Sequence, residues 1–226
     1  MYHIEYLKKI FIAANWKSNK TESEAKDWLS AMSSFKDQDL SNKEIIICPS
    51  FVCLPVMKAF IAERELPIKL GAQDISPFDE GAYTGAINGR QIKEFADYVL
   101  IGHSERRKYF AETETMLEEK AKMADKWGLK VIFCADNQES LIPEGVVIAV
   151  YEPPTSISPA PADTPENADK AAKAIKERFS ITPILYGGNV TSENVSSFTK
   201  MDSINGILVG RASLDAKEFY KIIKNA

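Results

Sequence analysis

An excess of charge of either sign is absent from this sequence. It has 28 lysines and arginines against 32 aspartates and glutamates among 226 residues, a formal net charge of −4. Nucleic acids and anionic membrane surfaces are usually bound by a strongly basic surface, and this balance offers none. We therefore expect no nucleic-acid partner, and an anionic ligand would need a site built locally from a few residues.

A long apolar run is also missing from the start of the chain. The segment that begins Met1-Tyr2-His3-Ile4-Glu5 contains no extended hydrophobic stretch before Asn15. Signal peptides and membrane-spanning helices both require such a stretch. The sequence predicts neither, so we expect a cytoplasmic location and no association with membranes.

Cysteine is scarce, and the three that occur, Cys48, Cys53 and Cys134, cannot all pair with one another. Cys48 and Cys53 also lack the C-x-x-C spacing that is typical of zinc and redox motifs. A disulfide framework and a zinc site are therefore both poorly supported. Buried free thiols are the simpler interpretation.

What the sequence does contain is a repeated alternation of short apolar runs and amphipathic segments. The first run, at 10–14, precedes a helix that Thr21 and Glu24 open as a capping box. Further strands are predicted at 44–48, 68–72, 97–101, 130–134, 146–150, 183–186 and 206–209. Helices are predicted at about 52–65, around Leu117 to Ala124, from 164, from about 191 and at 214–224.

Strands that alternate with helices require a parallel sheet, and eight such units close naturally into a (β/α)8 barrel, the TIM-barrel class of α/β fold. Length alone permits one barrel or two smaller domains. Because no linker interrupts the alternation, we expect a single domain over residues 1–226.

The fifth unit is too short for a complete helix. Only 11 residues, among them Pro143 and Gly145, separate Cys134 from Val146. A parallel crossover usually takes a dozen or more residues with its helix. The spacing therefore predicts a reduced fifth helix, of at most one or two turns near 137–141.

The loop after the third strand is unusually long and apolar. It runs through residues 73–85 and includes Phe78, Tyr83, Thr84 and Gly85. Loops of this length in compact domains are usually functional or disordered. We favour an interface with a second copy of the chain, a homodimer through the 74–88 loop, over a flexible tip.

Polar residues and glycines follow five of the predicted strands. In a barrel of this kind the active site lies at the carboxyl ends of the strands, so these residues are the candidates for function. They are Asn15 and Lys17 after the first strand, His103 and Glu105 after the fourth, Glu152 after the sixth, Gly187, Gly188 and Asn189 after the seventh, and Gly210 and Arg211 after the eighth.

Glu152 is the candidate for a catalytic base. It ends an apolar run, and Pro153 biases its backbone toward an extended conformation. Taken singly, a glutamate, lysine or histidine at these positions is more often solvated or structural. Together they suit proton transfer beside the carbonyl of a phosphorylated substrate. The carboxylate, the imidazole and the ammonium group would serve the proton transfer. The two glycine-containing turns would bind the phosphate, because backbone N–H groups at glycines approach phosphate oxygens closely.

Seven motifs occur in order along nearly the whole chain. They are Asn15-Trp16-Lys17, Ala72-Gln73-Asp74-Ile75-Ser76-Pro77, Gly81-Ala82-Tyr83-Thr84-Gly85, Ile101-Gly102-His103-Ser104-Glu105-Arg106-Arg107, Tyr151-Glu152-Pro153, Tyr186-Gly187-Gly188 and Leu208-Val209-Gly210. In this order and spacing they resemble the motifs of the triosephosphate isomerase family.

The resemblance implies interconversion of dihydroxyacetone phosphate and glyceraldehyde 3-phosphate through an enediolate, without a metal or cofactor. Glu152 would move the proton and neutral His103 would donate a hydrogen bond to the substrate oxygens. Lys17 would stabilise negative charge, Asn15 would bind substrate, and Glu105 would orient Lys17 and His103.

The resemblance also implies the remaining contacts. The substrate phosphate would be bound by Ser158, Asn189, Gly210 and Arg211. The loop after Glu152 would act as a lid that keeps water from the intermediate. In a homodimer, Thr84 at the loop tip, flanked by Tyr83 and Gly85, would approach the active site of the partner.

Two departures from the family pattern leave alternatives open. Pro159 and Pro161 replace a glycine-bearing lid tip and remove N–H donors, which predicts smaller or slower closure of the lid.

The second departure lies in the predicted phosphate site, where Asn189 stands in place of the usual serine and Arg211 replaces a glycine. Two roles are open for Arg211. Its guanidinium would add a cation to the phosphate site, or it would point outward while only the backbone N–H of Arg211 binds the phosphate. We favour the second. An impaired homologue that only binds phosphate ligands or interacts with other proteins is the alternative function, and another phosphosugar isomerase is a weaker one.

Overall fold

Eight parallel strands close into a barrel in the computed structural model, which describes residues 8–35, 40–153, 155 and 160–226. Each strand pairs with the next, and β8 pairs with β1 to close the barrel. The strands are β1 (Ile10–Asn15), β2 (Lys43–Cys48), β3 (Ile68–Ala72), β4 (Tyr98–Ile101), β5 (Lys130–Ala135), β6 (Val146–Tyr151), β7 (Ile184–Tyr186) and β8 (Gly206–Val209). The predicted (β/α)8 barrel is confirmed.

The helices surround this barrel. They are α1 (Glu22–Ser33), α2 (Leu54–Glu63), α3 (Gly89–Lys93), α4 (Ser104–Phe110), α5 (Glu114–Lys126), α6 (Pro165–Phe179), α7 (Val195–Thr199) and α8 (Ala216–Asn225), with 3-10 turns at Phe51–Cys53 and Arg211–Leu214. The predicted capping box at Thr21 and Glu24 opens α1. Within the described ranges, no helix has the length and apolarity needed to cross a membrane.

Three helices, α3, α4 and α7, differ from the list predicted from the sequence, and the last two are informative. The helix expected from about residue 191 begins only at Val195, because the Thr191 N–H donates to Asn194 Oδ1 at 2.8 Å in a preceding turn. Helix α4 was not predicted, since its charged sequence has no apolar periodicity. This second difference matters for function because His103 caps α4.

The fifth unit has lost its helix altogether. Residues 136–145, all of them described, form only turns, with the Glu139 N–H donating to Asn137 Oδ1 at 2.7 Å. The expected reduction of this unit is confirmed. Without a covering helix, the side chains of Leu141 and Val147 are exposed at this point of the barrel wall.

Alternate residues of each strand fill the barrel interior. Ala13, Ile46, Leu100, Ile132, Val150, Leu185 and Leu208 belong to this inner cluster, while their neighbours pack beneath the helices. Since side chains alternate with a period of two, the next inward positions lie at the carboxyl-terminal mouth. Those positions include Asn15, Glu152, Gly187 and Gly210, so the strand register brings the predicted functional residues to one end of the barrel.

Candidate active site

A cavity of about 330 Å³ occupies the carboxyl-terminal mouth of the barrel. Its lining includes nine of the predicted functional residues, namely Asn15, Lys17, His103, Glu152, Gly187, Gly188, Asn189, Gly210 and Arg211. Glu105 does not line the cavity but contacts two residues that do. The predicted phosphate contact at Ser158 lies outside the described residues. Tyr83, Thr84 and Gly85 line a second cavity, beside the 74–88 loop.

Glu152 follows β6 and is buried, with 5 % of its surface exposed. Its N–H donates to the Ala135 carbonyl at 2.9 Å, which continues the β5–β6 pairing by one residue. Gly187 lies against its side chain: a Cβ there would come within 3.2 Å of Glu152 Cβ and 2.7 Å of Val150 Cγ1. The glycine therefore provides the space that the carboxylate side chain occupies.

His103 is equally buried, at 4 % exposure, and is the N-terminal cap of α4. Its Nδ1 accepts a hydrogen bond of 3.2 Å from the Glu105 N–H. Its Nε2 lies 3.4 Å from Glu152 Oε2. Because Nδ1 can accept only when it carries no proton, this hydrogen bond assigns the ring proton to Nε2, on the side that faces Glu152.

Burial and the neighbouring carboxylate act on the His103 ring in opposite directions. Burial lowers the pKa of His103, because the charged imidazolium loses hydration, whereas the Glu152 carboxylate raises it. The carboxylate prevails, so the pKa of His103 lies above its usual range. The Glu105 N–H opposes protonation at Nδ1. The charge on Glu152 therefore decides whether His103 is neutral.

Lys17 is fixed at both its backbone and its side chain. Its backbone has a left-handed φ of 52°, and its N–H donates to Asn15 Oδ1 at 3.0 Å. Its carbonyl accepts from Gln73 Nε2 at 2.9 Å, and its ammonium group lies 2.5 Å from Glu105 Oε1. Gln73 was not predicted as a site residue, although it belongs to one of the motifs quoted above.

The turns that follow β7 and β8 also line the cavity. Gly210 and Arg211 begin the turn after β8. Asn189, after β7, donates through Nδ2 to the Ala160 carbonyl at 3.2 Å, and the Tyr186 hydroxyl accepts from the Asp163 N–H at 2.7 Å. These two hydrogen bonds attach the carboxyl-terminal part of the segment after Glu152 to the site.

Two facing polar atoms in the cavity have no hydrogen-bond partner. They are His103 Nε2 and Glu152 Oε2, both shielded from solvent within the described structure. A buried polar atom left without a partner costs about 1–3 kcal/mol. A ligand that presents an oxygen to the imidazole and a proton to the carboxylate would satisfy both atoms, so the geometry is that of a site for proton transfer.

A family model described as triosephosphate isomerase matches residues 10–226. The chain belongs to the triosephosphate isomerase family. The family predicted from the motifs is thereby confirmed, and so is the prediction of an isomerase.

Curated relatives named triosephosphate isomerase match over nearly their full length. One from Mesomycoplasma hyopneumoniae (strain 7448) is 34% identical, over 97% of this chain and 100% of the relative. One from Thermodesulfovibrio yellowstonii is 36% identical, over 96% of this chain and 99% of the relative. The crystal structure of triosephosphate isomerase from Bartonella henselae superposes with a TM-score of 0.80 at 28% identity, covering 96% of this chain and 98% of that chain. Nothing in these relationships favours the alternative of an impaired homologue.

Proposed function

We propose that Glu152 is the base of a triosephosphate isomerase reaction in this chain, interconverting dihydroxyacetone phosphate and glyceraldehyde 3-phosphate. The observation that carries the proposal is the facing pair of buried, unpartnered atoms, Glu152 Oε2 and His103 Nε2, 3.4 Å apart. A substrate carbon bearing the transferable proton would lie against the carboxylate. The substrate oxygen next to that carbon would accept a hydrogen bond from the His103 imidazole.

The reaction needs one proton to move between adjacent carbons. Glu152 removes it from one carbon, the electron pair becomes the carbon–carbon double bond of an enediolate, and negative charge collects on the oxygen. His103 donates a hydrogen bond to that oxygen through Nε2, and Lys17 supplies a positive charge. Glu152 then returns the proton to the other carbon, and the net reaction consumes nothing.

The environment of His103 favours a neutral donor during this step. Burial lowers the pKa of His103 and so favours the neutral ring. The negative charge that leaves Glu152 moves to the enediolate oxygen and remains beside Nε2. The Glu105 N–H continues to occupy Nδ1. The ring therefore keeps its proton on Nε2 and acts as a hydrogen-bond donor.

The substrate phosphate would lie near Gly210, Arg211 and Asn189, which line the same cavity. Backbone N–H groups at the start of the turn after β8 suit an anion. Lys17 is paired with Glu105, which restrains its ammonium group at the side of the cavity. Glu105, which contacts both Lys17 and His103, would orient them as the sequence predicted.

Glu152→Gln tests the base directly. The amide keeps the size of the side chain but cannot accept the proton, so kcat should fall by about 10²–10⁴-fold. A coupled assay with glyceraldehyde 3-phosphate measures it, and exposed Glu139→Gln is the matched control. Wild-type turnover in Glu152→Gln would exclude Glu152 as the base.

The 74–88 loop is proposed to bind a second copy of the chain. The Phe78 and Tyr83 rings stack at 4.3 Å, and both are exposed on that loop. Beside them lies a cavity of about 520 Å³ that reaches Phe110 and Met116, which are also exposed. A projecting aromatic pair next to an apolar hollow suits an isologous contact, in which each copy fills the hollow of the other.

A cytoplasmic location completes the proposal. It is supported by three cysteines that are buried and unpaired, Cys48, Cys53 and Cys134. Such thiols are typical of a reducing compartment. Fractionation of cells that express the tagged chain measures the location, and recovery of the chain in a membrane or extracellular fraction would contradict it.

A further inference from the structure

The turn after β8 is held by a buried hydrogen-bond network behind the cavity. The Gly210 carbonyl accepts twice from Ser213, at 3.0 Å from the N–H and 2.6 Å from Oγ. In a trans peptide the carbonyl and the following N–H point in opposite directions. Since the Gly210 carbonyl is directed into the turn, the N–H of Arg211 is directed away from the interior of the turn. Gly210 and Arg211 both line the cavity, where this N–H could reach a ligand.

Trp28 supports this turn from helix α1. Its indole Nε1 donates to the Ser213 carbonyl at 3.0 Å across 185 residues of sequence. The ring lies edge to face with Trp16, 5.0 Å between centroids, and tilted against Phe219 at 5.7 Å. One buried side chain therefore contacts both the residue before Lys17 and the turn that begins at Gly210.

We propose that Trp28 is a positioning residue for phosphate binding: through Ser213 it fixes the direction of the Arg211 N–H. The inference rests on the proposed function, because it requires the substrate phosphate to bind at this turn. A tryptophan on the apolar face of a helix is otherwise explained by core packing alone. The indole N–H separates the two explanations, since packing does not need it.

Trp28→Phe removes the N–H and keeps an aromatic ring. The Ser213 carbonyl then loses its buried donor, and the turn is free to reorient. We expect KM for glyceraldehyde 3-phosphate and the inhibition constant of inorganic phosphate to rise together, by about 5- to 10-fold, while kcat changes less than about 2-fold. Ser213→Ala, which removes the Oγ donor to Gly210, should raise the same two constants.

Phe219→Leu is the matched control, because it disturbs the same aromatic cluster and leaves the indole N–H in place. It should lower Tm without raising either constant. Equal rises in Phe219→Leu and Trp28→Phe, or constants within about 2-fold of wild type in Trp28→Phe, would overturn the positioning role. If inorganic phosphate does not compete with substrate in the wild type, the proposed phosphate site itself is wrong and the role of Trp28 is overturned with it.

Discussion

At the scale of single residues, the space around Glu152 depends on Gly187. Adding a Cβ at that position would bring it to 2.7 Å from Val150 Cγ1 and 3.2 Å from Glu152 Cβ. The first contact is too short to exist, so the strand ends must shift. A shift of this kind would move the carboxylate relative to His103, and catalysis is sensitive to displacements of about 1 Å.

Gly187→Ala should therefore lower kcat by about 10- to 100-fold, with a loss of stability of about 1–3 kcal/mol from overpacking. Steady-state kinetics and urea unfolding measure the two effects. Gly128→Ala is the control: its φ of 62° makes any side chain strained, but a Cβ there meets nothing within 4 Å. It should lose stability and retain kcat. A Gly187→Ala enzyme with normal kcat would show that the carboxylate position tolerates the clash.

Residue types and strand-end positions were sufficient to predict Asn15, Lys17, His103 and Glu152 as neighbours. The supporting contacts were not predictable in this way. Gln73 and Trp28 donate hydrogen bonds to carbonyls of distant segments. Trp28 has the local sequence of an ordinary core residue, and the motif that contains Gln73 does not show which carbonyl its side chain contacts. Contacts to distant backbone are set by the closed barrel, which sequence periodicity does not resolve.

At the scale of elements, an ion cluster attaches α5 to the loop after β3. Buried Lys120 of α5 pairs with Asp74 at 2.5 Å and also contacts Glu112. Arg106 joins the cluster, 2.7 Å from Asp74 Oδ2 and 2.6 Å from Glu112 Oε1. Burial raises the pKa of Asp74 despite these cations, which shows how costly the carboxylate would be without them.

Lys120→Met should destabilise the protein by about 3–5 kcal/mol, because it leaves two carboxylates, buried Glu112 and partly buried Asp74, to share the single positive charge of Arg106. Urea unfolding measures the change. Lys122→Met, on the exposed side of the same helix, removes a 2.8 Å pair with Glu119 and should change stability by no more than about 1 kcal/mol. Similar losses in the two variants would mean that the cluster contributes little.

A second cluster lies at the amino-terminal end of the barrel, where Glu44 of β2 contacts Lys9 and the Tyr98 hydroxyl of β4. Burial raises the pKa of Glu44, but hydrogen bonds from Lys9 and Tyr98 outweigh it, so the pKa of Glu44 lies below its usual range. A carboxylate with a lowered folded pKa stabilises the protein fully above its unfolded value, about 4.3, and loses that contribution as pH falls through the folded value.

Glu44→Gln should therefore lower Tm at neutral pH, and its difference from wild type should shrink as pH falls below about 4.3. Thermal unfolding between pH 7 and acid pH measures this difference. Glu22→Gln serves as the comparison, since it removes an exposed 2.7 Å pair with Lys26 and should shift Tm little at any pH. A difference that stays constant into acid would contradict a pH-linked contribution from Glu44.

At the scale of the whole molecule, the barrel was predictable because each strand is a short apolar run bounded by polar residues. All eight predicted strands lie within one residue of the observed strands at both ends. The short helices were harder to predict: α4 has seven residues and no apolar stripe, and its start is marked by the His103 side chain, which accepts from the Glu105 N–H. The protonation of His103 Nδ1 depends on where α4 begins, and hydrophobic periodicity does not predict that position.

Two exposed apolar regions among the described residues differ in shape, and this difference bears on assembly. The 74–88 loop presents a stacked aromatic pair beside a cavity. The gap left by the missing fifth helix presents isolated side chains, Leu141 and Val147. Of these two regions, the first combines a projection with a hollow, so we expect self-association to use it.

Tyr83→Asp should convert a dimer into a species with the mass of one chain, because a charge in the contact cannot be desolvated cheaply. Leu141→Asp is matched in exposure, 57 % against 45 % for Tyr83, and should leave the mass unchanged. Light scattering after size exclusion measures both. If Thr84 of each copy approaches the other active site, Tyr83→Asp should also lower kcat. A wild-type chain that elutes as a monomer with full activity would rule out the contact and its catalytic role together.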